Sequence, residues 1–277
     1  MYPVTLLCRV MEVSRSGYYA YAERRREGPR SEGEAELVRR VKAIHEEARG
    51  SYGTRRMARQ LQGEGHAVGR YKARSLMHKA GIEVRHKRRF RATTDSRHSH
   101  PVAPNLLDRQ FATQAPDRAW VGDITYLWTA EGWLYLAVVI DLFSRRVVGW
   151  SVASHMRVEL VKDALTMALW RRRPGAGLIH HSDRGSQYAC GAYQDLLKAY
   201  GLVCSMSRKG DCWDNAVAER FFGSLKRECT DHRLYATHEQ ARRDVVDYIE
   251  MFYNSRRKHS HLGYSSPAEF EALAKAA

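Results

Sequence analysis

The chain lacks any apolar run long enough to enter a bilayer as a helix. Its longest, Trp133 to Ile140, is eight residues and is closed by Asp141, against the roughly 20 that a helical span needs. The first residues, Met1 to Val10, include Arg9 and no extended hydrophobic segment, so no secretory signal is read there and a cytoplasmic location is expected. Cysteine is scarce: Cys8, Cys190, Cys204, Cys212 and Cys229 are odd in number, widely spaced and without a C-x-x-C pair. That pattern excludes a disulfide framework and a zinc ribbon. Acidic residues are the remaining deficit, with 31 Asp and Glu against 46 Lys and Arg and a formal net charge of +15.

The charge is lopsided. Residues 1–100 carry 23 basic and 11 acidic side chains, whereas residues 101–277 carry 23 and 20. A basic part joined to a near-neutral part describes a polyanion-binding module attached to a second function. Of the 46 bases 36 are Arg, whose planar fork suits phosphates and guanine edges. Free use of Arg by a GC-rich genome is the competing explanation. At 277 residues, 44% hydrophobic and 28% charged, the chain is long enough for two globular domains.

Periodicity divides it into four stretches. Residues 1–34 read as an N-terminal helical segment, with Val4, Leu7, Val10 and Met11 at helical spacing. Residues 35–91 read as three short helices: Ala35 to Ala48, a second from Thr54 as cap to about Gln62, and a third from about Gly69 to Lys79. Gly-containing turns and a basic last helix make this a helix-turn-helix candidate. Arg70, Lys72 and Arg74 on that helix, and Arg88 and Arg89 in the basic run after it, are the expected DNA contacts. Residues 92–110, with Pro101 and Pro104, read as a linker. Residues 111–277 turn to an α/β pattern. Three strands (Val121 to Thr129, Trp133 to Asp141, Arg146 to Ala153) precede a helix from Val158 to about Arg172. A strand (Leu178 to Ser182), a helix (Tyr193 to Tyr200) and a strand (Val203 to Ser207) follow, then helices over about Ala216 to Glu228 and Glu239 to Tyr253. That order is the order of a ribonuclease-H-like domain, a mixed five-stranded sheet with helices.

Three acids stand where chemistry would use them. Asp123 falls inside the first strand, among β-branched and aromatic residues where an unpaired carboxylate costs several kcal/mol to bury. Asp183 falls at the end of the fourth strand, a favoured ligand position in α/β sheets. Glu219 falls in the first turns of the long helix, with 35 residues intervening between it and Asp183. Converging carboxylates without Cys or His suit hard divalent cations, Mg²⁺ or Mn²⁺. Two such ions about 4 Å apart can serve phosphoryl transfer. Lys226, two helical turns after Glu219 on the same face, and Lys209, in the loop after the fifth strand, are further expected DNA contacts. Asp141, Asp211 and Asp214 are rival acids; Asp214 with Asn215 is read as a cap of the long helix, and Asp211 as a turn residue. His180 and His181 alternate across a strand and cannot both face one ion. Trp213 either stacks on a splayed base or pins its loop.

Residues 110–270 resemble the transposases of bacterial insertion sequences built on a retroviral-integrase-type catalytic core. The resemblance rests on Trp-Val-Gly-Asp-Ile-Thr-Tyr, His-Ser-Asp-Arg-Gly-Ser-Gln-Tyr, Ser-Arg-Lys-Gly-Asp-Cys-Trp-Asp-Asn-Ala and Tyr-Asn-Ser-Arg-Arg-Lys-His. Residues 1–100, with Gly-Ser-Tyr-Gly-Thr-Arg-Arg, are similar to the helix-turn-helix part of the two-reading-frame group, specifically its second-frame product (OrfB). The resemblance implies a DNA transposase performing metal-dependent cleavage and strand transfer at insertion-sequence ends, with Asp123, Asp183 and Glu219 as its catalytic and metal-binding acids. It implies double-stranded DNA and an upstream-frame product, separate or fused, as partners, and homo-oligomers on DNA in the bacterial cytoplasm. No His-His-Cys-Cys zinc module precedes the core, a departure from retroviral integrases. Two alternatives remain open: a nuclease of the same fold that cuts without joining, and a helix-turn-helix regulator or silent element protein.

Overall fold

The computed structural model describes residues 3–26, 32–83, 101–208 and 212–276. The chain separates into two compact units, Met1–Val84 and Arg85–Ala277.

The first unit is all helical: α1 (Val4–Val10), α2 (Arg15–Arg26), α3 (Glu32–Glu47), α4 (Thr54–Gly63) and α5 (Arg70–Lys79). Ser14 Oγ accepts from the Gly17 amide at the start of α2, as a capping serine does. Val38, Val41 and Ile44 of α3 are buried with Met57, Ala58 and Leu61 of α4 and Ala73, Leu76 and Met77 of α5. These i, i+3 and i+4 spacings put one apolar stripe of each helix inward. Thr54 is the first helical residue of α4, and Gly53 holds the capping position with extended backbone. The cap expected at Thr54 therefore falls one residue earlier, on a glycine with no side chain to bond the first turn.

The second unit contains one five-stranded sheet in the order β3-β2-β1-β4-β5. Strands β1 (Ala119–Thr129), β2 (Gly132–Asp141) and β3 (Val147–Ala153) form an antiparallel meander. Strands β4 (Ile179–Ser182) and β5 (Val203–Met206) add in parallel on the free side of β1. Between them run α6 (Val158–Arg172), α7 (Ser186–Ala189) and α8 (Gly191–Ala199), and α9 (Ala216–Leu225), α10 (His238–Asp247) and α11 (Pro267–Ala276) follow. One sheet face, carrying Trp120, Ala137, Val139 and Val148, packs on Leu160, Val161, Ala164, Leu165 and Ala168 of α6. Val121, Thr125 and Leu127 of β1 alternate to the opposite face and are also buried; α9 and α10 contact β1, and α10 also contacts β2. Among the described residues no helix is long and apolar enough to cross a membrane.

Two features differ from the expectation. Residues 104–109 lie tied to the sheet: Met206 N donates to Pro104 O, and the amides of Leu106 and Leu107 donate to Ser205 Oγ. Helices α9 and α10 also do not end as plain α-helices. Each widens into a π-type turn, over Lys226–Thr230 and Tyr248–Tyr253, with i+5 bonds such as Asp231 N to Lys226 O and Asn254 N to Ile249 O.

Candidate active site

The register of two strands assembles the site. Strand β4 pairs in parallel with β1 from Ala119 to Gly122, and its last pair joins Gly122 to Ser182. The next residue on each strand is an acid, Asp123 on β1 and Asp183 just beyond β4. Parallel neighbours in register stand side by side, so the two carboxylates leave the sheet together. Glu219 lies in the first turn of α9, which packs on β1, and is exposed.

The charges of Asp183 and Glu219 both act on Asp123. Burial pushes the Asp123 carboxyl well above the usual carboxylate range, and the negative charges of Asp183 and Glu219 push the same way. The Ile124 amide, donating to Asp123 Oδ1 at 2.8 Å, and the Lys226 ammonium oppose the shift. Asp183 Oδ1 accepts from the Gly185 amide at 2.8 Å, which fixes its orientation at the strand end.

Lys226, expected from the sequence as a DNA contact, is part-buried. Its Nζ lies 5.1 Å from the centre of the Tyr126 ring, a cation–π distance. Burial lowers its pKa, while Asp231 and Asp123 raise it.

The rival groups are accounted for elsewhere. Asp214 does not cap α9: Asn215 occupies the capping position without a side-chain cap bond. The fully buried Asp214 carboxylate instead accepts from Arg208 N, Nε and Nη2, from Arg109 Nε and from Asn105 Nδ2, at 2.9–3.1 Å. The Arg208 guanidinium holds it well below the usual carboxylate range. Asp141 is buried and accepts from the Ser144 amide and hydroxyl and from the Asp117 amide. His180 bonds Tyr193 through Nε2, and His181 bonds Ser205 through Nδ1. Burial lowers their pKa values to about 3 and about 4, so both stay neutral.

The donor set at Asp123, Asp183 and Glu219 is oxygen only, and it concentrates negative charge on the part-buried Asp123 carboxyl. That chemistry fits a hard divalent cation. Among the described residues no three His, Cys, Asp or Glu stand close enough together to hold a metal ion.

Of the expected DNA contacts, Arg70, Lys72 and Arg74 are exposed on α5. Lys72 also pairs with Glu34, at 2.9 Å, beside the Lys79–Glu34 pair at 2.7 Å. Tyr71, between Arg70 and Lys72 and off the inward stripe of Ala73, Leu76 and Met77, is 84% exposed. Arg88, Arg89, Lys209 and Asp211 lie outside the described residues, as does the side chain of Trp213.

The chain is similar to known proteins over most of its length. The integrase core domain family matches residues 113–212 and, in a second part, residues 200–267, and an HTH-like domain family matches residues 32–90. The chain is 45% identical over 264 residues to "Insertion element IS600 uncharacterized 31 kDa protein" of Shigella sonnei, covering 95% of this chain and 97% of that protein. It is 41% identical over 271 residues to "Transposase InsF for insertion sequence IS3A" of Escherichia coli (strain K12), covering 98% and 94%. Among solved structures, the HTLV-2 integrase catalytic core domain in complex with magnesium aligns at 16% identity and a TM-score of 0.44, over 57% of this chain and 98% of that one. With identity above two-fifths across nearly its whole length to a named transposase, and with both domain families matched in order, the chain belongs to the insertion-sequence transposases that carry an integrase-type catalytic core behind a helix-turn-helix domain.

Proposed function

We propose that this transposase cleaves and joins DNA at the ends of its insertion sequence through Asp123, Asp183 and Glu219. The observation that carries the reading is the β1–β4 register, which brings Asp123 beside Asp183 while the charge of Glu219 on α9 acts on the same carboxyl. The three acids would hold divalent cations, Mg²⁺ or Mn²⁺, two in number. Bound there, such cations supply Lewis-acid activation of an oxygen nucleophile and stabilisation of the leaving oxygen. The protein's own groups orient the reactants. Asp123, braced by the Ile124 amide, and Asp183, braced by the Gly185 amide, keep their oxygens directed from fixed backbone. Lys226, held over Tyr126 and within the field of Asp123, would contact a phosphate next to the reacting one. No Ser or Tyr nucleophile is needed, because water and then a freed 3′-hydroxyl attack in turn.

The basic helical module would grip the element end, with Arg70 and Arg74 of α5, and Arg88 and Arg89 beyond it, on phosphates or base edges, and Lys209 would contact DNA as well. An upstream-frame product, as a separate chain or a fusion, and further copies of this chain would complete the assembly, working in the cytoplasm where the genome lies.

Changing Asp123 or Asp183 to Asn, or Glu219 to Gln, removes charge with little change of shape. Each variant should fold and bind duplex DNA like the parent while losing metal-dependent cleavage and joining of labelled element ends. A Glu219→Gln protein with parental activity would remove Glu219 from the site. Cleavage without joining by the parent would favour the nuclease alternative.

A further inference from the structure

The hairpin that carries Asp123 ends in an aromatic cluster that the catalytic reading does not use. Two residues, Ala130 and Glu131, turn β1 into β2, and Gly132 takes a φ of +105° that only glycine adopts without strain. This short turn fixes the register so that Trp128 faces Trp133 and Tyr126 faces Tyr135. Tyr126, Trp128 and Trp133 then form a continuous edge-to-face group. The Trp128 and Trp133 ring centres are 4.8 Å apart at 74°, and those of Tyr126 and Trp133 are 5.0 Å apart at 86°.

The indoles are not core residues. Trp128 is 60% exposed and Trp133 47% exposed, although large aromatic groups gain most from burial. Edge-to-face packing leaves ring surface that no neighbouring ring of the cluster covers flat. The group is linked to the proposed catalytic acids through Lys226. Tyr126 is three residues beyond Asp123 on the same strand, and the Lys226 ammonium over its ring also acts on the Asp123 carboxyl. The one acid at the turn, Glu131, is directed elsewhere, its carboxylate accepting from the His238 amide at 2.6 Å. Exposed aromatic faces beside a lysine are what a surface for unpaired nucleotides requires: stacking holds the base and the cation holds the phosphate.

We propose that Trp128 and Trp133 form a stacking platform for unpaired bases of the DNA strand that leaves the catalytic acids. The platform rests on the reading of this site as one that cuts DNA. It gives strands opened next to the cut a place to lie, so that a frayed or single-stranded end is bound more tightly than a closed duplex.

The test uses the full chain and two DNA probes, a blunt duplex and the same duplex with a short unpaired tail containing 2-aminopurine. The parent protein should bind the tailed probe more tightly and quench its fluorescence. Trp128→Ala and Trp133→Ala should each lose roughly tenfold of the affinity for the tailed probe, the scale of one stacked base. Affinity for the blunt duplex and the slope of binding against salt should not change, because the phosphates are neutralised as before. Trp128→Phe, which keeps a ring, should retain most of the preference. The proposal is overturned if the parent shows no preference for the tail, or if the alanine variants keep it. It is equally overturned if they weaken both probes alike, or if they change the sedimentation of the DNA-free protein, which would make the indoles a contact between copies. Cleavage activity separates the two readings: a parent that cuts DNA without tail preference leaves the acid site standing, whereas an Asp123→Asn protein that still cuts removes the site itself.

Discussion

Asp123 and Asp214 are both carboxylates of the catalytic unit, and their surroundings push them in opposite directions. Asp123 is raised by burial and by its acidic neighbours, while Asp214 is lowered by arginine hydrogen bonds. A group kept costly to ionise is the one a cation would relieve; a group already neutralised by two guanidiniums is a structural anchor. The sequence distinguishes Asp123, Asp183 and Glu219 through their strand and helix positions and their motifs. It misreads Asp214, because Asn105 and Arg109 reach it from 109 and 105 residues away and no local pattern reports such a pairing. The histidines next to Asp183 offer a test of burial itself. Folded His180 and His181 have pKa values of about 3 and about 4, below an unfolded value near 6.5, so the unfolded chain binds their protons first as pH falls. Their contribution is complete above pH ~6.5 and is lost toward pH ~4, each costing about 2 kcal/mol at pH 5. Urea unfolding at pH 7.5 and 5 should show a smaller pH dependence for His181→Gln than for the parent, by about that amount. Equal pH dependence in the two proteins would mean that His181 charges freely in the fold.

At the scale of elements, strands and helices follow from alternation, apolar stripes and glycine turns, and β1, β2, β3 and α6 begin and end within about two residues of where the pattern puts them. What the pattern omits is the π-type turn at the end of α9. Beyond Lys226 that turn carries Glu228, whose side chain is fully buried against an Arg257 side chain 4% exposed. Arg257 Nε and Nη2 donate to Glu228 Oε2 and Oε1, each at 2.7 Å, and Tyr248 OH donates to Oε2 at 2.8 Å. Arg257 Nη2 also donates to Ser224 Oγ of α9 at 3.1 Å. This lock ties the helix that carries Glu219 and Lys226 to the chain after α10. A period of 3.6 residues predicts that position 228 faces inward but not that an acid there finds a fork 29 residues later. Removing one partner strands a buried charge, so Glu228→Leu or Arg257→Met alone should destabilise by about 3–5 kcal/mol. The double variant, apolar on both sides, should recover most of the loss. Chemical denaturation of the three proteins measures this, and additive losses would show that the two side chains are not coupled.

At the scale of the whole molecule, the basic excess and the proposed catalytic acids belong to different parts of the chain, and composition alone locates the basic part. Where the catalytic part begins is a finer matter than composition reaches. Proline and polar residues give 92–110 the look of a linker, yet Pro104, Asn105, Leu106, Leu107 and Arg109 all bond to β5 or to Asp214. We therefore expect a fragment of residues 101–277 to unfold cooperatively, and one of residues 111–277 to be less stable. The shorter piece removes two donors to the buried Asp214 carboxylate and uncaps Ser205; a buried acceptor deprived of partners costs about 1–3 kcal/mol. Equal denaturation midpoints would show that the segment merely rests on the sheet. The same fragments test the division of charge. Residues 1–100 hold a net +12, from 23 bases less 11 acids, and residues 101–277 only +3, from 23 less 20. Every phosphate that a fragment no longer neutralises should flatten the plot of log affinity against log salt by about 0.9. The 101–277 fragment should then bind element-end duplex more weakly than the full chain and with a shallower slope, while still cutting at high DNA concentration with Mg²⁺ present. A slope equal to that of the full chain would place the phosphate-binding groups in the catalytic unit and leave the N-terminal bases with another partner.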